Sequence, residues 1–127
     1  MQVAVTAIHG SRMAEVRTPV GDLTAHWCGK PDDAPGTYTV EWTIDTELAW
    51  GQNARPSPTP GPALLTGGGC TVRRGQLDVT VDGIGVLHLG DTSVLLDLAA
   101  PLPQSAVATW VDFEVTPEEI GLYPYFP

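Results

Sequence analysis

A chain of 127 residues, 43% hydrophobic and 17% charged, has room for one core and not two, since a domain of this size removes about two thirds of its unfolded surface from water. Its net charge of −9, from 15 acids against 6 bases, argues against nucleic acid as a partner, because phosphate neutralisation needs a clustered basic footprint and Arg73-Arg74 is the only adjacent basic pair. No apolar run approaches the roughly 20 residues that cross a bilayer, and the opening "MQVAVTAIHG" lacks the basic start and apolar stretch of a signal peptide, so the expected setting is cytoplasmic, away from membranes.

From the N-terminus the pattern is alternation with period two. "QVAVTAI", "RMAEVRT" and "LTAHWC" read as successive antiparallel strands, separated by Gly10-Ser11 and "PVGD", where proline presets one dihedral and glycine supplies positive φ. On the third, His26 and Cys28 share one face, and Leu23, Ala25 and Trp27 take the other. The polar loop "GKPDDAPG" leads into "GTYTVEWTID". There Tyr38, Val40, Trp42 and Ile44 point one way and Thr39, Glu41, Thr43 and Asp45 the other, as in a half-buried strand.

Residues 51–70, "GQNARPSPTPGPALLTGGGC", place prolines at every second position from Pro56 to Pro62. As a domain linker the stretch fails, because the halves on either side of it would each be marginal domains. It is expected to be a long internal loop of a single β domain covering 1–127, with polyproline-like backbone and one apolar piece, Ala63-Leu64-Leu65.

In the second half, "LDVTV" and "IGVLHL" are joined by Asp82-Gly83, which suits a two-residue type I′ turn, and "IGVLHL" and "TSVLLDL" by Gly90-Asp91, which suits type II′. The first turn pairs Val81 with Ile84, Val79 with Val86 and Leu77 with His88 on one face. The second places Leu87, Leu89, Val94, Leu96 and Leu98 on the other. Both faces of 84–98 then read as apolar, although a sheet with one face in water alternates cleanly. Three causes fit: a bulge or barrel corner at Gly85, cover from "PALL" or "LYPYF", or an exposed patch that another protein or a second copy covers. "TWVDFEV" adds a strand. In "TPEEIGLYPYFP", Thr116, Pro117 and Glu119 have the chemistry of a capping box, Gly121 limits the helix to one turn, and Pro124 confines the extended tail to a sheet edge or a covering position.

About eight short strands and no long helix predict an all-β fold, a single antiparallel β-barrel or β-sandwich. "GTYTVEWTID" and "GQLDVTVDGI" share no more than any two amphipathic strands, so no repeat is assigned. No family is recognised. At the level of fold analogy, the strand order resembles the small oligonucleotide- and oligosaccharide-binding barrel, with more strands than that fold carries.

Chemistry is sparse. His26, Cys28, Cys70 and His88 are the combination a zinc site would draw on, but their spacing matches no compact ligand knuckle, and His88 is expected among apolar neighbours; no metal or cofactor is assigned. Cys28 and Cys70 are expected as reduced thiols. Ser11, Ser57, Ser93 and Ser105 include no G-x-S-x-G motif, and "TGGGC" lacks the lysine and helix of a phosphate loop. Trp27 and Trp42 belong to core-facing registers. The function expected is therefore a non-catalytic protein-binding or inhibitory module of the immunity or accessory kind. It would dock another protein or a second copy through Leu87, Leu89, Val94 and Leu96, with Leu64, Leu65, Trp50, Trp110, Tyr123 and Tyr125 nearby; Phe126 belongs to the same aromatic set. The alternative is a small-molecule pocket inside a barrel, with residues 51–70 as its lid and modest catalysis by a carboxylate and histidine.

Overall fold

The alternating segments pair much as their turns direct. The computed structural model describes residues 1–67 and 69–125. Among these it has strands β1 (Gln2–Ile8), β2 (Met13–Thr18), β3 (Gly21–Trp27), β4 (Gly36–Ile44), β5 (Ala54–Pro56), β6 (Ala63–Gly67), β7 (Cys70–Val79), β8 (Gly85–Leu89), β9 (Thr92–Leu96), β10 (Thr109–Val115) and β11 (Ile120–Tyr125). Two 3-10 turns, Gln104–Ala106 and Pro117–Glu119, are the only helical pieces among the described residues. No described helix is long and apolar enough to cross a membrane.

The strands form a closed barrel, β1-β2-β3-β11-β4, and a second sheet in the order β5-β10-β7-β8-β9, with β6 also paired to β7. Inside the barrel lie Val3, Val16, Leu23, Trp27, Val40 and Leu122; the inner face of the second sheet carries Leu77, Leu87, Leu89, Leu96, Val111 and Phe113, and all join one core. The barrel closes with five strands, and the strand set between β3 and β4 is the last of the chain. β11 runs parallel to β3 and antiparallel to β4. Pro124 is therefore not confined to an edge. The Leu122 carbonyl accepts from the Cys28 N–H, so alternation turns the Pro124 nitrogen toward the same side, beyond the end of β3, where no ladder needs an N–H.

Contrary to the sequence comparison, the halves repeat. β4-β1-β2-β3 and β10-β7-β8-β9 have the same pairing order, and the closing segments are exchanged. β11 follows β10 yet closes the first half. The segment after β4 serves the second: Leu48 forms a parallel bridge to Leu98, and β5 pairs with β10. Equivalent hydrogen bonds mark the exchange, Cys28 N–H to the Leu122 carbonyl at 2.9 Å and Ala99 N–H to the Leu48 carbonyl at 3.0 Å.

The described residues form eleven strands rather than about eight, and β11, parallel to β3, departs from a wholly antiparallel barrel. Three further expectations require correction. First, residues 51–70 are not a structureless loop or a lid, because β5 and β6 are hydrogen-bonded into the second sheet and only 57–62 lie between them. Leu64 donates its N–H to the Val20 carbonyl at 2.8 Å, and that carbonyl-to-amide approach needs Gly21, where a Cβ would collide with the Leu64 carbonyl oxygen. Second, the β7–β8 turn has three residues. Thr80 donates to the Ile84 carbonyl and Gly83 to the Thr80 carbonyl, with Gly83 at φ +84, the type I turn closed by a left-handed glycine. The register moves by one, so Leu77 faces Leu87 and Gln76 faces His88. Leu77, Leu87, Leu89, Val94 and Leu96 thereby fall on one face, Val86 and Leu95 pair on the other, where Leu95 is 65% exposed, and Gly85 sits in the ladder between Val79 and Leu96 with no bulge. Third, the turn at 117–119 forms without a side-chain cap from Thr116; the Glu119 carboxylate instead accepts from the Thr46 hydroxyl.

Candidate functional site

The largest departure from ordinary burial lies at the end of the second sheet. The three-residue turn carries Val81 into full exposure, at 104% of its reference area, with Ile84 at 40%. At Gly83 the same turn reaches a cleft of about 490 Å³, lined also by Val79, Leu98–Leu102 and Val107. Every lining side chain is apolar. Leu102 and Val107 of that lining flank the Gln104–Ala106 turn, whose Ala106 is buried. Ala108 follows in the left-handed region at φ +62, its N–H donating to the Leu77 carbonyl at 2.6 Å. That conformation costs an alanine about 1 kcal/mol, and it leaves Val107 facing outward. Asp82 and Asp97, both exposed, flank the groove.

The residues expected to make contact are dispersed. Leu87, Leu89, Val94 and Leu96 are buried in the core and offer no surface: they share one face as expected, but the one-residue shift in register joins Leu77 to that face and makes it the inner one. Leu64 is buried too, while Leu65, next to it on β6, is exposed on the opposite side of the strand. Trp50 packs partly buried against the core, and Trp110 is half-buried on the outer face of β10. Tyr123 and Tyr125 are exposed on β11; the Cys28 thiol beside the Tyr123 phenol raises its pKa. Phe126 lies outside the described residues.

Tyr125 also lines a cleft of about 530 Å³ with Gln2, Cys28, Lys30, Tyr38 and Pro124. Its loop is braced by Arg12, which donates to the Trp27, Gly29 and Lys30 carbonyls, and by Asp33, which accepts from the Trp27 indole and the Lys30 N–H. The β2–β3 outer face carries Glu15 and Asp22 beside Arg17.

His88 is not among apolar neighbours as expected. It stands half-exposed on the outer face of the second sheet, where Nε2 lies 3.0 Å from Asp78 Oδ2 and Nδ1 2.8 Å from Ser93 Oγ. With the carboxylate accepting from Nε2–H, Nδ1 is left to accept from the serine hydroxyl. Ser93 also lines a cleft of about 380 Å³ between β4 and β9. Among the described residues no three His, Cys, Asp or Glu side chains converge as a metal-holding group, and Cys28 and Cys70 are both free thiols. On β7, Arg74 is held outward by Asp112 at 2.8 Å, whereas Arg73 points into the core.

No known protein family, curated protein or solved structure shows significant similarity to this chain. The groove was hidden from sequence reasoning by the turn length: a two-residue turn assigns Val81 to a strand face, and a three-residue turn makes it a bare hydrophobe at a hairpin tip. The signal was present in Val81-Asp82-Gly83, since a left-handed glycine serves either turn.

Proposed function

We propose that the protein is a non-catalytic docking module that engages another protein through the groove between the β7–β8 turn and residues 98–107. The observation that carries this is the fully exposed Val81 on the turn whose Gly83 lines a cleft with apolar side chains. Covering one such side chain is worth about 1.5–3 kcal/mol, and contiguous apolar surface rimmed by polar residues is the mark of an interaction site. With Asp82 and Asp97 at the rim and a net charge of −9, the partner is one that offers an aliphatic or aromatic anchor flanked by lysine or arginine, and its association slows as salt rises. A photo-crosslinking residue at position 81 or 107 should yield a discrete adduct in the native lysate, while one at Thr24, on the barrel face, should not. Indistinguishable adduct patterns from the three positions would dismiss the docking reading.

A second reading is favoured by the Asp78-His88-Ser93 chain, whose order of carboxylate, imidazole and hydroxyl is that of an activated nucleophile. In this reading Ser93 attacks the carbonyl of an ester held in the β4–β9 cleft and passes its proton to His88, which gives it to the alcohol as the ester C–O bond breaks; water then hydrolyses the acyl-serine, releasing the acid and restoring the hydroxyl. A fluorophosphonate probe should label the native protein and spare Ser93→Ala. Absence of labelling removes this reading and leaves the docking proposal untouched.

A further inference from the structure

The buried face of β7 carries a charge that the described chain does not answer. Arg73 is 0% exposed, its backbone held between Leu64 on β6 and Phe113 on β10, and its guanidinium carbon stands 4.6 Å from the centroid of the Trp42 ring. Nε and both Nη atoms have no hydrogen-bond partner among the described residues. The same holds for Trp42 Nε1 and for Thr71 Oγ1, the latter two residues back on the same buried face. Arg74 supplies the contrast, since on the outer face it makes two hydrogen bonds to Asp112, at 2.8 and 3.2 Å.

The unanswered groups are of one kind. A guanidinium and an indole N–H are donors only, and a threonine hydroxyl donates readily. The Trp42 ring attracts the cation through its face, but it offers no acceptor in the guanidinium plane. A buried cation in this state is costly, and the group that completes it is negatively charged, accepts only, and presents two oxygens to the planar fork. Trp42 also lines the β4–β9 cleft, together with Thr43, Thr92 and Ser93. The indole is thus common to the cleft and to the guanidinium.

We infer that the seam between β4, β7 and β9 is a binding site for a small oxyanion, a molecule bearing a carboxylate or phosphate group whose oxygens pair with Arg73 when the Trp42 ring admits it. Burial sets the size, because Arg73 and Thr71 are both 0% exposed and the anionic group must be enclosed rather than laid on a surface. The overall charge of −9 gives no long-range attraction, so recognition is short-ranged and only weakly screened by salt. The site is separate from the docking groove; it shares the β4–β9 cleft with Ser93, but its test reads Arg73 and does not need Ser93 to be reactive.

Inorganic phosphate and acetate are the probes, each titrated into the full chain near neutral pH against chloride of matched ionic strength. The Arg73 Nε–H resonance should shift saturably with at least one, and the anion that moves it identifies phosphate or carboxylate as the ligand class. That anion should also raise the thermal midpoint by several degrees more in the native protein than in Arg73→Met. Arg73→Lys, which keeps the charge and loses the fork, should retain only part of the rise. An Arg73 resonance unmoved by both anions, or an equal rise in Arg73→Met, overturns the site. The resonance is read on the native chain, so a poorly folded variant does not remove the test.

Discussion

Arg73 and Arg74 are neighbours with opposite surroundings, and strand alternation alone separates them. Arg74 meets Asp112 across the β7–β10 ladder; Arg73 turns inward, where burial pushes its pKa down to about 9. The sign follows from linkage: above about pH 9 the unfolded chain binds the proton that the folded chain gives up, so this group makes stability rise with pH there and adds no slope below it. Replacing Arg73 with methionine, in buffer free of oxyanions, should raise unfolding stability by roughly 1–4 kcal/mol and remove that rise above about pH 9, as read by urea unfolding across pH. Ala108 is the second strained point. With φ at +62, Ala108→Gly should stabilise by about 0.5–1 kcal/mol, measured the same way. Equal or lower stability would show that the surrounding turn imposes no strain. The sequence marked Arg73 only as half of a basic pair and Ala108 not at all, because an arginine on an alternating strand reads as inward or outward only when its phase is known, and φ has no sequence signature at alanine.

At the scale of elements, alternation was the dependable guide. Val40, Trp42 and Ile44 on β4 and Val111, Phe113 and Val115 on β10 are buried in the phase their sequence states. The Gly90-Asp91 hairpin has the expected register, Leu89 opposite Thr92 and Leu87 opposite Val94. What alternation could not supply was turn length, and one extra residue at Val81 exchanged the faces of β7 relative to β8. β6 escaped for a different reason: prolines mask a segment whose last residues are a good strand, and its partner β7 begins immediately after the glycines. The strap role splits between its two leucines. Leu64→Ala should cost roughly 2–5 kcal/mol, whereas Leu65→Ser, on the exposed side, should stay within about 0.5 kcal/mol. Similar losses at both positions would mean β6 is not held through its inner face.

For the whole molecule, the exchange of closing strands decides how the chain folds. β11 completes the barrel built by the first half, and residues 48–56 complete the sheet built by the second. Neither half closes on its own residues, so fragments 1–62 and 63–127 should each lack dispersed amide resonances alone and recover them when mixed. A folded isolated fragment would refute the dependence. The repeat was legible in principle, because "VEWTID" aligns with "VDFEVT", buried Val40, Trp42 and Ile44 on buried Val111, Phe113 and Val115, in the strand that closes each meander, whereas "GQLDVTVDGI" belongs to the strand that opens one; topology, not similarity, tells which strands to compare. The contact site was less legible, since it arises where a turn and a distant 3-10 segment meet. Its function is tested most directly by one measurement, the retention of a crosslinked partner by the native chain and by the double variant V81D/V107D, with thermal midpoints recorded for both. The docking account predicts at least a tenfold loss, about 1.4 kcal/mol, with the midpoint unchanged; undiminished retention by the folded double variant would contradict it.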